Sequence, residues 1–119
     1  MHQEDLIKTG GENVASREVD KAIYQMDEVA EVVVFEVDHP VWIEAVTAVV
    51  VHKTGATLRP EAVITFARSV LAPYKTPEYV VIADTMPKNP SGKIVKRELR
   101  PTYSPIVSTP QDRHRSADR

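Results

Sequence analysis

Residues 29–51 hold two valine-rich runs, Val29-Ala30-Glu31-Val32-Val33-Val34-Phe35-Glu36-Val37 and Ala45-Val46-Thr47-Ala48-Val49-Val50-Val51, separated by Asp38-His39-Pro40 and a short stretch carrying Trp42. β-Branched side chains are stiff at χ1 and pack well on a pleated surface, so runs this rich in valine read as strands. The Asp38-His39-Pro40 step marks a turn, and the two strands are expected to pair antiparallel. Upstream, Ser16 is placed to cap a helix, with Glu18 and Asp20 near the positive end of its dipole and Val19, Ala22, Ile23 and Met26 at i, i+3, i+4 and i+7. That spacing predicts an amphipathic helix of about three turns. Before it, residues 5–8 read as a short strand entering a loop at Gly10-Gly11. Downstream, Pro60 opens a second helix with Val63, Phe66, Ala67, Val70 and Leu71 on one face, and Pro73 ends it. Residues 79–82 form a third strand, and a short basic helix runs from about Val95 to Arg100. The order is βαββαβ: an α+β fold in which two helices pack on a small sheet of about three main strands, with a short terminal helix. Residues 1–100 are read as the domain and 101–119, with Pro101, Pro105 and Pro110 and no periodicity, as a disordered tail.

Composition narrows the function classes. A chain of 119 residues with 42% apolar content closes one modest core and leaves little room for a large substrate cavity and its lid. A complete two-substrate enzyme is therefore not expected. Fifteen Lys and Arg against 17 Asp and Glu give a net charge of -2, which lacks the basic excess that binding to a nucleic-acid backbone requires. The absence of cysteine removes disulfides, thiolate metal sites and thiol nucleophiles together. The longest apolar run falls far short of a bilayer span, so no transmembrane segment is expected. Acidic residues stand near the N-terminus where a signal peptide would be basic, and the expected location is cytoplasmic.

Three segments invite a chemical reading. Ser91-Gly92-Lys93 resembles the end of a phosphate-binding P-loop, but that motif wants glycine at the position of Pro87 and Ser or Thr at that of Ile94. What survives is Lys93 on a proline-bounded loop, either an ordinary solvated charge or a point cation delivered to an anion held by something else. Gly10-Gly11-Glu12-Asn13 has two readings as well: positive φ for a tight turn, or backbone passing close to a narrow ligand. Trp42 reads as a partly buried anchor and His39, before Pro40, as a turn residue. No second histidine lies at metal-ligand spacing from His39, and no metal is assigned.

Taken together, the strings Asp5-Leu6-Ile7-Lys8-Thr9-Gly10-Gly11-Glu12-Asn13-Val14, Leu71-Ala72-Pro73-Tyr74-Lys75-Thr76-Pro77 and Pro87-Lys88-Asn89-Pro90-Ser91-Gly92-Lys93-Ile94 resemble the C-terminal domain of AMP-forming acyl-CoA synthetases, from about Glu4 to Arg100. The Gly-Gly-Glu-Asn-Val string and Trp42-Ile43-Glu44-Ala45 look most like the fatty-acyl and medium-chain branch. The resemblance implies a two-step ligation, in which a carboxylate attacks ATP to give acyl-adenylate and pyrophosphate, and the CoA thiol then displaces AMP. It implies a mobile catalytic subdomain that swings on a large N-terminal adenylation domain, present in cis or in trans. In one pose Lys93 reaches the forming adenylate; in the other Gly10, Gly11, Glu12 and Asn13 help line the pantetheine tunnel. ATP, its Mg and CoA are then co-substrates of the completed enzyme, with ATP and Mg bound outside this chain and the acyl-adenylate and CoA met at the interface. The hinge position falls on Glu4, with His2 where the family usually has Arg, so hinge behaviour is not carried over. The phosphate loop, adenine pocket and acyl tunnel of the family have no counterpart in this sequence, which is expected to be inactive alone. An excised domain, a split-gene half, a truncated relic and a freestanding module all remain open. A non-catalytic interaction module that binds a synthetase or carrier protein is the alternative, and a plain nucleotide or CoA binder the third.

Overall fold

Val32, Val33, Val34 and Phe35 are all buried, which consecutive strand residues achieve only when both faces of the sheet are covered. The computed structural model describes residues 6–86, 88, 90, 96–103 and 105, leaving aside the side chains of Arg97 and Glu98. At its centre β3 (Val29–His39) and β4 (Ile43–His52) pair antiparallel, in one register from Glu31 opposite Val51 to His39 opposite Ile43, after a shift between Val29 and Glu31. One face, with Val32, Val34, Val46, Ala48 and Val50, is covered by Val19 and Ile23 of α1 (Ser16–Ile23) and Val63 and Ile64 of α2 (Pro60–Val70). The other, with Val33, Phe35, Val37 and Val49, is covered by Met86 and by Leu99 and Tyr103 of α3 (Lys96–Tyr103). The sheet is completed by β5 (Tyr79–Ala83), parallel to β4, and by the hairpin of β1 (Leu6–Thr9) and β2 (Glu12–Ala15), which joins β4 where Thr9 meets Ile43.

The fold is the α+β arrangement expected, with the valine runs as its central hairpin and two helices on one face. Several details differ. The observed order is ββαββαβα, because residues 12–15 form a fifth strand where a loop was expected; with only Val14 fully buried, this strand has too little alternation to announce itself. Ser16 is the first helical residue instead of the cap. Ala15 occupies the cap position without a side-chain bond, and the buried Ser16 Oγ accepts a hydrogen bond from Lys96 Nζ at 3.1 Å. The first helix is correspondingly short, ending at Ile23, although Met26 still packs against the core. On α2 the buried stripe is Val63, Ile64 and Ala67; Phe66 is half-buried and Val70 is 48% exposed, so the expected face is rotated by about one residue. Finally, α3 continues through Pro101 to Tyr103, past the expected domain boundary at Arg100. The Tyr103 ring lies 6.1 Å from that of Phe35, and this packing outweighs the disfavoured proline. Of the remaining 101–119 segment, only Pro105 falls among the described residues.

Phe35, fully buried under α3, should lose about 3 to 5 kcal/mol on truncation to alanine, a large part of a small domain's stability. Val70→Ala should stay within about 0.5 kcal/mol. Urea midpoints of the two variants check the assignment of faces; equal shifts contradict it.

Candidate functional site

The β1–β2 connection is two residues long, since Thr9 and Glu12 face each other across it. A loop this tight matches the twist of its strands as a type I′ or II′ turn, and Gly10 and Gly11, at 59° and 86°, give the I′ form, which needs positive φ at both central residues. A Cβ built on either glycine meets nothing within 4 Å, so conformation, not crowding, demands glycine here. The tight-turn reading of this segment therefore holds by itself, and any ligand role is additional to it.

This hairpin is tied to the β3–β4 turn. Gly10 N–H donates to the Trp42 carbonyl at 2.9 Å. The turn is ordered by His39, a buried residue whose Nδ1 accepts the backbone N–H groups of Val41 at 3.1 Å and Trp42 at 3.2 Å. Trp42 is half-buried, its ring edge-on to His39 with centroids 4.7 Å apart. Both residues thus take the turn and anchor roles expected of them. Ile43, immediately after, is the one non-glycine residue at positive φ among those described, at 73°. For a β-branched side chain this is a real strain.

Between the two turns and the short 3-10 segment Pro73–Lys75 lies an open groove of about 270 Å³. Gly10 and Glu12 line it from the hairpin, Trp42 from the β3–β4 turn, and Tyr74, Thr76 and Glu78 from the stretch leading into β5. The lining carries aromatic faces, hydroxyls and the carboxyl groups of Glu12 and Glu78, with no cation among the described residues. Such a surface suits an uncharged chain bearing hydrogen-bonding groups and repels phosphate. The nearby Lys75, whose Nζ lies 5.7 Å from the centroid of the Tyr74 ring, is paired with Glu18 Oε2 at 3.0 Å; that hydrogen bond raises the lysine above its ordinary pKa, against a smaller opposing effect of burial.

Of the sequence-derived glycine-loop residues, Gly10 and Glu12 line the groove, Gly11 sits at the hairpin tip, and Asn13 pairs with Lys8 along the ladder away from the lining. Lys93 and Glu4 lie outside the described residues. Two described cations, one before and one after position 93 in the sequence, meet the edge strand β3. Lys88 Nζ lies 3.5 Å from Glu31 Oε1, and Arg100 grips Glu36 through Nε at 2.8 Å and Nη2 at 3.1 Å. Tyr74, Thr76 and Glu78 were not singled out from the sequence as groove residues, although Pro73 and Pro77 bracket a stiffened stretch there.

Residues 18–93 match the AMP-binding enzyme C-terminal domain. The chain belongs to this family. A long-chain-fatty-acid–CoA ligase of Bacillus subtilis (strain 168) is 41% identical over 97 residues, covering 82% of this chain and 17% of the relative. A peroxisomal butyrate–CoA ligase of Arabidopsis thaliana is 37% identical over 111 residues, covering 91% and 19%. Among solved structures, apo MatB from Rhodopseudomonas palustris superposes with a TM-score of 0.82 at 40% identity, covering 87% of this chain and 21% of that one. The resemblance to acyl-CoA synthetases is thereby borne out. This AMP-binding C-terminal domain spans only about a fifth of the length of the relatives it matches. Among its described residues no helix is long and apolar enough to cross a membrane, and no three His, Asp or Glu gather as metal ligands would.

Ile43 is 64% exposed, so replacing it by glycine forfeits little burial. Relief of the left-handed strain, about 1 to 2 kcal/mol, should exceed the entropic cost of glycine, and Ile43→Gly should gain roughly 0.5 to 1 kcal/mol. Thermal and denaturant unfolding measure this; a loss of stability would mean that the side chain has a packing role.

Proposed function

We propose that this chain is the mobile C-terminal catalytic subdomain of an ATP-dependent, AMP-forming ligase that joins a fatty acid to CoA. It works with a large N-terminal adenylation domain that holds ATP and its Mg. The observation that carries this reading is the groove: the Gly10 hairpin, Trp42 and the Tyr74–Thr76 segment, far apart in sequence, converge on a surface suited to the neutral amide-bearing arm of pantetheine. Support also comes from the family match and from relatives whose names are those of acyl-CoA ligases.

Adenylation forms a bond between a carboxylate oxygen and the α-phosphorus while the bond to pyrophosphate breaks. Lys93 then meets the negative charge that develops between them. An ammonium is a compact cation on a long stem, and a preorganised contact of this kind is worth about 3 to 4 kcal/mol, or roughly 10² to 10³ in rate. In the second step the CoA thiol attacks the acyl carbon and AMP leaves. The groove's task is then to thread the pantetheine arm, orienting the thiol and excluding water.

The test uses an enzyme completed by joining this chain to the large domain of an acyl-CoA ligase. Lys93→Ala should lower pyrophosphate release by roughly 10² to 10³ while supplied acyl-adenylate is still converted to acyl-CoA. Lys88 and Lys96 make poor controls, because each has a partner, Glu31 and Ser16. The exposed Lys53 serves instead, and Lys53→Ala should leave both steps unchanged. Gly10→Asn keeps a turn residue that tolerates positive φ but adds a side chain at the groove, and should block the thioester step alone. Loss of neither step in the Lys93 and Gly10 variants would favour the non-catalytic interaction module.

A further inference from the structure

The strained β3–β4 turn needs something to hold it, and the same turn supplies two parts of the groove. Trp42 lines the groove and gives its carbonyl to Gly10, so an error in the turn displaces this wall and the glycine hairpin together. Ile43 closes the arrangement by pairing with Thr9 while carrying a φ of 73°. A β-branched residue stays in that region only when its surroundings over-determine it. The fastening on its N-terminal side is His39. Its Nδ1 accepts two successive backbone N–H groups, those of Val41 and Trp42, in the manner of an Asx-type turn. The residue is 6% exposed, its ring 4.7 Å from that of Trp42 and 6.3 Å from that of the buried Tyr79 of β5, centroid to centroid. His39 does not itself line the groove, so it has no direct access to a ligand there.

We propose that His39 is a positioning residue for the thioester step: the lone pair on Nδ1 fixes Trp42, and through the Trp42 carbonyl the Gly10 hairpin, in the geometry that receives the thiol substrate's arm. Both accepted bonds require Nδ1 without a proton, which places the ring proton on Nε2. A histidine buried in a turn is usually a structural fixture; here the fixture sets the distance between two walls of a binding groove. This rests on the groove serving the thioester step.

The experiment compares His39→Asn, whose Oδ1 supplies an acceptor to the same N–H groups without the ring, with His39→Leu, which fills the space without an acceptor. In the completed enzyme His39→Leu should raise the KM for CoA about tenfold or more, with pyrophosphate release within twofold of the parent. His39→Asn should bring that KM back to within about threefold. Because Trp42 is the chain's single tryptophan, its emission reports the turn directly, and His39→Leu should shift it toward longer wavelength. An unchanged KM in His39→Leu, or equal impairment in both variants, overturns the proposal. So does equal loss of both half-reactions in His39→Leu, which would make His39 a purely structural residue. Gly10→Asn separates the two levels. If it blocks thioester formation while His39→Leu does not, the groove keeps its function and His39 loses its role; if neither affects that step, the groove reading falls and takes this inference with it.

Discussion

Burial of the β3–β4 hairpin on both faces is the constraint on which the rest of the structure depends. Val32, Val33, Val34 and Phe35 alternate their side chains between two cores, one closed by α1 and α2 and the other by α3. A hairpin in water cannot leave either of these faces open, because each large side chain returned to solvent costs about 1.5 to 3 kcal/mol. The position of α3 follows from this requirement. Leu99 and Tyr103 must reach Phe35, which sets α3 beside β3, with Arg100 on Glu36 as the polar fastening.

The hairpin also fixes the groove. Its turn sits at the end of the sheet where β1 meets β4, and the strain at Ile43 is concentrated there and not in the core. His39, Trp42 and Gly10 form a continuous chain of hydrogen bonds from one turn to the next. The surface they shape carries carboxyl groups and aromatic rings, which disfavours a phosphate and accommodates a neutral arm.

Much of the fold was legible because it depends on local pattern: valine runs for β3 and β4, a 3.6-residue period for α1 and α2, prolines at the ends of α2. What escaped depends on tertiary packing. Strand β2 is four residues long with one fully buried side chain, too little for a periodicity, and it forms because β1 and two glycines at positive φ present it with a partner. The last turn of α3 contains Pro101, which a local reading takes as a stop; the contact of Tyr103 with Phe35 carries the helix past it. For the site, the glycine turn and the anchor and turn roles of Trp42 and His39 followed from residue type. The convergence of Gly10 and Trp42 with Tyr74, Thr76 and Glu78 did not, since residues so far apart in sequence meet only once the sheet has formed.

The most direct test of the central claim is acyl-CoA formation by a ligase large domain that lacks its own C-terminal domain, measured with ATP, a fatty acid and CoA before and after this chain is joined to it. The account predicts that the joined protein forms acyl-CoA in steady turnover where the large domain alone does not, and that Lys93→Ala abolishes the gain. A joined protein that is folded, binds ATP and yet forms no more acyl-CoA than the large domain alone would contradict it.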